Sequence, residues 1–277
     1  MSGFAPRRRG AAAAAAIGSL AGQVMALAWL ARLVSLVVLM TASLQPAAAQ
    51  TLTVAAASSL SDVMPALVLG FEAVHPGTDV VVVLGGSGAL LERIAQGLRA
   101  DVLASADLET ATLGIQRELL VSDLRGVFAT NTLVLVTPAS LNLPLRRLSD
   151  LAGPEVVRIA IGRRSEVPAG RYARGAIDAA RLWPSVQRKV VQAGSAREVL
   201  ALVASADVEA GFVYGTDVQA ANGRVRQVET LETAIPIRYP AQVVAASRQP
   251  VLARAFVDWL RSPSAREILQ RAGFGVP

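Results

Sequence analysis

Serines at two strand-to-helix junctions are the side chains of this sequence best placed for chemistry. Ser59 follows the apolar run 52–57, which has the pattern of a short buried strand, and it precedes a segment with apolar residues at helical spacing. Ser87 stands in the loop 85–88, between a β-branched strand at 79–84 and a second amphipathic segment. Backbone N–H groups at a helix start lack intrahelical partners and carry the positive end of the helix dipole. A serine there can therefore cap the helix or help it bind an anion.

A plain capping role is the simpler interpretation of the first serine. Ser59 and Asp62 have the S-x-x-[DE] spacing of a capping box. The helix that they would start carries apolar residues on one face, namely Leu60, Met64, Leu67, Phe71 and Val74. What favours anion binding is that similar junctions recur along the chain.

The second half of the sequence supplies further hydrogen-bond donors. Pro168 suits a first helical turn, so the backbone amide of Ala169 is expected at a helix start. Ser195 and Glu198 form another capping-box pattern, ahead of a helix with apolar residues at helical spacing. Tyr214 ends the predicted strand 211–214, and open α/β sheets bind ligands at the carboxyl ends of their strands.

From Gln50 onward, predicted strands and helices alternate, which indicates an α/β fold with helices packed on mostly parallel sheets. Segment 132–239 has enough strands and helices for a core of its own. We therefore predict two lobes, the first formed by residues 50–131 and 240–277 and the second by residues 132–239. Two crossings between the lobes predict a hinged cleft. The strand after the second crossing is expected at 242–246, and the last two helices are expected to pack on the first lobe.

The first 49 residues have the composition of an export signal. They contain no acidic residue, and the apolar segment 33–44 follows Arg32. The alanines at 47–49 suit cleavage before Gln50, which predicts a periplasmic mature protein. A transmembrane helix is the alternative, but Arg32 interrupts the apolar run, and a span needs about 18 apolar residues. Met25 is an alternative start, because residues 25–49 already contain the three regions of a signal.

Composition and charge exclude several classes of function. The chain has no cysteine, which excludes thiolate metal sites and disulfides. Its 27 basic and 21 acidic residues give a net charge of +6, and loss of the leader with its four arginines leaves +2. No basic run with interleaved aromatic residues remains, so we expect no nucleic-acid partner.

Six motifs, in their order and spacing, resemble the periplasmic molybdate-binding proteins, which are the substrate receptors of molybdate ABC importers. They cover nearly the whole mature chain and lie at residues 55–60, 86–90, 100–107, 167–173, 213–217 and 239–240. In that family a two-lobed periplasmic-binding-protein fold holds the oxyanion in the cleft. Two serines of the first lobe, two backbone amides of the second lobe and one tyrosine hydroxyl donate hydrogen bonds to it. Carried onto this sequence, the ligand-binding residues are Ser59, Ser87, Ala169, Ala196 and Tyr214, with Ser58 as the alternative to Ser59.

The resemblance implies high-affinity binding of molybdate, and of tungstate, with delivery to the transmembrane permease of an ABC importer. Molybdenum would be bound as the oxyanion, with no direct metal ligand and no cofactor, and we expect a monomer. A receptor of the same fold for sulfate or another oxyanion is the alternative. Arg163 and Arg164 stand where relatives often have an aspartate, and they either steer anions to the cleft or form an exposed, solvated pair.

A serine hydrolase is a more distant alternative. The sequence around Ser59 does not have the G-x-S-x-G pattern of a nucleophile elbow. The single histidine, His75, lies about sixteen residues further along the predicted helix, which corresponds to about 24 Å. It is too distant to act as the base for Ser59, and we expect no enzymatic activity.

Overall fold

The computed structural model describes Trp29 and residues 50–121 and 126–277. Residues 50–121 and 126–277 belong to one compact unit. The predicted signal segment 33–44 and the cleavage site at residues 47–49 lie outside the described residues. No helix in the described ranges is long and apolar enough to cross a membrane.

In the described part of the chain, ten strands form two sheets of five strands each. The first sheet consists of β1 (Gln50–Ala57), β2 (Thr78–Gly85), β3 (Val102–Ala104), β4 (Val127–Asn131) and β10 (Ile237–Val243). The second sheet consists of β5 (Leu133–Pro138), β6 (Ile159–Gly162), β7 (Val190–Ala193), β8 (Ala210–Tyr214) and β9 (Val225–Leu231). We call each sheet, with the segments that connect its strands, a lobe.

The two sheets have the same topology. Their strand orders are β2-β1-β3-β10-β4 and β7-β6-β8-β5-β9. In each sheet three neighbouring strands are parallel, and the fourth position holds a strand that is antiparallel to both of its neighbours. The predicted α/β class with mostly parallel sheets is confirmed. The reversed strands, β10 and β5, are the ones that the chain enters directly after a crossing between the sheets.

Nine helices connect or flank these strands. They are α1 (Met64–Val74), α2 (Ser87–Ala95), α3 (Leu108–Gln116), α4 (Pro168–Ala179), α5 (Trp183–Val186), α6 (Ala196–Ala204), α7 (Gly215–Ala220), α8 (Pro250–Trp259) and α9 (Pro263–Arg271) in the described part of the chain. The predicted packing of the C-terminal helices on the first lobe is confirmed, because the ring of Phe256 in α8 lies edge-on to Phe71 of α1 at 5.0 Å. Burial of such rings is worth roughly 1.5–3 kcal/mol each.

The structure corrects three local predictions. The capping box at Ser59 and Asp62 is wrong, because residues Ser58–Leu60 form a 3-10 turn without a side-chain cap and α1 begins only at Met64. Val74 was placed on the buried face of that helix, but it is 59% exposed. The strand predicted at 242–246 lies earlier in the sequence, because β10 spans Ile237–Val243. It begins three residues before residue 240, where the chain was predicted to return to the first lobe.

Candidate functional site

A cavity of about 10 Å³ lies where the carboxyl ends of parallel strands from both sheets meet. Four of the five predicted site residues line it, namely Ser59, Ser87, Ala196 and Tyr214. Ala169 does not, although its neighbours Val167 and Pro168 do. Ser58 also lines the cavity, so burial does not distinguish the two adjacent serines. The strand ends position these residues. Ser59 follows β1 and Ser87 follows β2, whereas Ala196 follows β7 and Tyr214 is the last residue of β8.

The two predicted serines of the first lobe are buried and already hydrogen-bonded on one side. Ser87 is 0% exposed, and its Oγ accepts a hydrogen bond from Ala106 N–H at 3.0 Å. Ser59 is also buried, and its Oγ lies 3.0 Å from the Tyr239 hydroxyl. Neither serine side chain caps a helix. Each hydroxyl retains hydrogen-bonding capacity toward the cavity.

The two predicted backbone donors lie in the first turns of α4 and α6. Pro168 occupies the first turn of α4, as predicted, and the neighbouring Ala169 is fully buried. Ser195 caps α6, with its Oγ accepting from Glu198 N–H at 3.1 Å, so this predicted cap is confirmed. Neither the Ala169 nor the Ala196 amide donates a hydrogen bond to another described residue. They are the unpaired N–H groups expected at a helix start.

Tyr214 has a buried hydroxyl without a hydrogen-bond partner among the described residues. Its side chain is 1% exposed. Burial, reinforced by nearby Tyr239, raises the pKa of the phenol well above its usual value, so the group is neutral and carries its proton at physiological pH. A buried hydroxyl without a partner costs about 1–3 kcal/mol, and a hydrogen-bond acceptor in the cavity would offset that cost.

A buried ion pair behind Tyr214 was not identified from the sequence. Asp217 Oδ2 accepts from Tyr214 N–H at 3.0 Å, while Oδ1 lies 3.2 Å from Arg197 Nε, in contact but not aligned as a hydrogen bond. Burial raises the pKa of the Asp217 carboxyl to about 6, and the charge of Arg197 opposes that rise. The sequence signal for this contact was the three-residue spacing of Tyr214 and Asp217. An acidic side chain three residues after the start of a helix accepts a hydrogen bond from the N–H of the starting residue. The pair therefore holds the backbone at the start of α7.

Several contacts join the two lobes beside the cavity. Gly88 N–H donates to Glu166 O at 2.9 Å, and a Cβ added at Gly88 would lie 2.6 Å from Ser165 O. On one side Arg171 Nε donates to Asp107 Oδ2 at 2.9 Å. Elsewhere Arg197 donates to Asp62 Oδ2 at 2.7 Å. The lobes are thus in direct contact, which explains why the cavity is small.

Arg163 and Arg164 lie outside this cavity. They line a larger groove of about 510 Å³, which also includes Arg171 and none of the five predicted donors. Arg163 forms an ion pair with Glu166 at 2.9 Å. Arg164 is exposed and forms no ion pair with the described residues. The groove is larger than the cavity, but it lacks the convergent buried donors of the cavity.

His75, the single histidine of the sequence, does not line the cavity. The ring of His75 stacks on Phe71 at 4.0 Å, and Nδ1 lies 3.2 Å from Phe71 O. Within the described ranges no group of three or more His, Asp or Glu side chains could hold a metal ion. The arrangement is a shell of neutral donors at two sheet edges, which suits capture of a dehydrated anion.

Residues 52–275 match the family model of bacterial extracellular solute-binding proteins. The chain belongs to this family. Among its relatives, the molybdate-binding protein ModA of Escherichia coli is 32% identical over 231 residues, covering 81% of this chain and 89% of that protein.

Solved structures share the fold of this chain. The periplasmic molybdate-binding protein of Azotobacter vinelandii has a TM-score of 0.70 and 24% identity, over 82% of this chain and 99% of that chain. The sulfate-binding protein SubI of Mycobacterium tuberculosis has a TM-score of 0.71 and 18% identity, over 81% and 86%. Because proteins named for two different oxyanions share the architecture, the architecture alone does not select the anion.

Proposed function

We propose that the protein captures molybdate, and also tungstate, outside the cytoplasm and delivers it to the permease of an ABC importer. The observation that carries the proposal is the buried Tyr214 hydroxyl, which has no partner among the described residues and faces a cavity lined by serines and helix starts. The similarity to the Escherichia coli molybdate-binding protein supports the choice of anion.

The proposed ligand-binding residues are Ser59, Ser87, Ala169, Ala196 and Tyr214, with Ser58 as the alternative to Ser59. A tetrahedral dianion must exchange its hydration for hydrogen-bond donors, and these neutral N–H and O–H groups provide them without a paired cation. The molybdenum would be bound only as the oxyanion, with no cofactor. A cavity of about 10 Å³ holds about one water molecule, so the cavity walls must move slightly outward to hold the anion.

Size would decide among dianions. Molybdate and tungstate are larger than sulfate, and donors fixed by helix starts cannot all reach the smaller ion. Each buried donor left unpaired costs about 1–3 kcal/mol, so loss of one or two contacts separates the anions by roughly tenfold to several thousandfold. A receptor for sulfate or another oxyanion is the second candidate, supported by the shared fold of the sulfate-binding protein.

The cellular setting of the proposal follows from the leader and the family. The family is extracellular, and we propose a periplasmic monomer whose signal is cleaved before Gln50, with the permease as its protein partner. Intact mass of protein recovered from the cell envelope tests the cleavage site. We propose no catalytic role, because His75 packs on Phe71 instead of a cavity residue.

The test is calorimetric titration of the protein with molybdate, tungstate and sulfate. We expect tight, similar binding of the first two and much weaker binding of sulfate. Tyr214→Phe should weaken molybdate binding by roughly 1.5–3 kcal/mol, the usual range for a hydrogen bond to a charged group. Tyr172→Phe is the matched control, because Tyr172 lines a different groove. Equal affinity for sulfate and molybdate would favour the second candidate, and an unchanged Tyr214→Phe variant would refute the residue assignment.

A further inference from the structure

A polar relay lies behind Ser59, outside the cavity wall. Tyr239 is 0% exposed, and its hydroxyl lies 3.0 Å from Ser59 Oγ and 3.3 Å from Asn131 Nδ2. Ser59 lines the cavity, whereas Tyr239 and Asn131 do not. The relay therefore reaches the cavity through Ser59.

The direction of each hydrogen bond follows from which atoms carry protons. Asn131 Oδ1 accepts from Thr132 N–H at 2.9 Å, which orients Nδ2 toward Thr216 Oγ1 at 3.0 Å and toward Tyr239. An amide nitrogen can only donate, so the Tyr239 oxygen accepts from Asn131. The phenol has one proton of its own, and Ser59 Oγ is its one acceptor among the described residues. Tyr239 therefore donates to Ser59.

This direction determines what Ser59 can offer to the cavity. Its oxygen already accepts from Tyr239, and its proton has no acceptor among the described residues. Ser87 is in the same state, because its oxygen accepts from Ala106 N–H. Both hydroxyls thus direct a proton toward the cavity, although one is held by a side chain and the other by the backbone.

We propose that Tyr239 is a positioning residue that fixes Ser59 as a hydrogen-bond donor and thereby excludes anions that carry a proton. The inference rests on the oxyanion-binding function proposed above. Hydrogen arsenate, a tetrahedral dianion with one O–H, needs an acceptor in the site. Tyr239 occupies one of the two lone pairs of Ser59 Oγ and leaves the serine proton directed at the anion, which disfavours Ser59 as that acceptor. Without the Tyr239 hydroxyl, Ser59 can rotate and accept that proton.

A double-mutant cycle tests the coupling. Molybdate dissociation constants are measured by calorimetry for the wild type, Tyr239→Phe, Ser59→Ala and the double variant. We expect Ser59→Ala to weaken binding by about 10- to 150-fold and Tyr239→Phe by about 3- to 30-fold. If Tyr239 acts through Ser59, the double variant should bind within about twofold of Ser59→Ala alone.

Selectivity provides a readout that a merely structural role would not change. At pH 8 the ratio of the arsenate to the molybdate dissociation constant should fall in Tyr239→Phe and stay constant in Tyr172→Phe, which removes a phenol outside the cavity. Additive losses in the cycle, or an unchanged ratio, would overturn the inference while leaving the proposed function intact. Absence of molybdate binding by the wild type would instead refute the proposed function.

A second variant covers the case in which Tyr239→Phe does not fold. Asn131→Ala keeps the phenol but removes its donor, so the Tyr239–Ser59 bond can reverse. We expect a smaller loss of molybdate affinity, which disappears in the Ser59→Ala background. A loss that persists in that background would contradict the relay.

Discussion

The two lobes have the same strand order, but they contribute different chemistry to the same cavity. In each sheet the site lies beyond the carboxyl ends of three parallel strands. The first lobe contributes two side-chain hydroxyls: Ser87 Oγ accepts from Ala106 N–H, and Ser59 Oγ is hydrogen-bonded to the Tyr239 hydroxyl, both within that lobe. The second lobe contributes the Ala196 amide at a helix start and the Tyr214 hydroxyl, which have no partners among the described residues, while the Ala169 amide lies next to the cavity-lining Val167 and Pro168.

This difference separates two ways of building a donor. We infer that the hydroxyls of the first lobe are oriented before an anion arrives, because Ala106 N–H and, in the proposed relay, the Tyr239 hydroxyl donate to their oxygens. The donors of the second lobe are left unpaired at a cost, which the proposed anion would offset when it binds. We infer that the first lobe sets the geometry of the site. The hydrogen bonds that the second lobe gains with the anion would then provide the free energy that favours the closed state.

The largest expected effect comes from preventing the lobes from meeting. Gly88→Ala should lower molybdate affinity by about 100-fold or more, because the new Cβ would lie 2.6 Å from Ser165 O of the other lobe. Alanine suits the first turn of α2, so thermal stability should be retained. Gly175→Ala is the control, since nothing lies within 4 Å of a Cβ there. Unchanged affinity in Gly88→Ala would show that lobe contact is not required for binding.

Removal of a preoriented hydroxyl should have the next largest effect. Ser87→Ala should cost roughly 1.5–3 kcal/mol of molybdate binding, and it should also lower stability because Ala106 N–H loses its buried acceptor. Ser105→Ala is the comparison, because Ser105 is equally buried but lies outside the cavity. It should lower stability only. Equal losses of affinity in both variants, measured by calorimetry, would contradict the assignment of Ser87.

The buried carboxyl of the second lobe should make stability depend on pH. Asp217 has a folded-state pKa of about 6, above its usual value, so between about pH 4 and pH 6 the native state binds more protons than the unfolded state. Stability from this group therefore falls as pH rises through that window, by at most about 1.4 kcal/mol per pH unit. Asp217→Asn should flatten the curve in urea titrations.

Asp150 provides a control of opposite sign. Hydrogen bonds from the backbone N–H groups of Arg146 and Arg147 lower the pKa of its carboxyl. It contributes stability above its unfolded pKa and loses that contribution as the pH falls below it. Asp150→Asn should leave the pH 4–6 window largely unchanged, and the same flattening in both variants would argue against Asp217.

The smallest effect is expected at the rim of the cleft. Arg164→Ala should lower the association rate of molybdate by about two- to fivefold at low salt, because an exposed positive charge attracts the anion over a distance. At high salt the change should be small, because dissolved ions screen that attraction. Arg248→Ala removes the same charge from a groove at the amino end of β1, whereas Ser59 follows the carboxyl end of that strand. Stopped-flow rates that are equal in the two variants would mean that the Arg163–Arg164 pair is only a solvated surface feature.

Much of the site could be predicted because its parts are local. Pro168 and Ser195 mark helix starts by rules that act within one turn, and both predictions are confirmed. Ser59 was assigned by the same reasoning to a cap, and that part is wrong. Its partner is Tyr239, which lies 180 positions away in the sequence, and no local rule reports so distant a hydrogen bond.

The sequence by itself determined the α/β class, the alternation of strands and helices and the residue types at the strand ends, because periodicity and capping depend on near neighbours. Only the tertiary structure decided the reversed strand in each sheet, the burial of Tyr214 without a partner and the ion pair of Asp217 with Arg197. Those features arise when segments far apart in the chain pack together and exclude water, and the strength of each polar contact then depends on that exclusion.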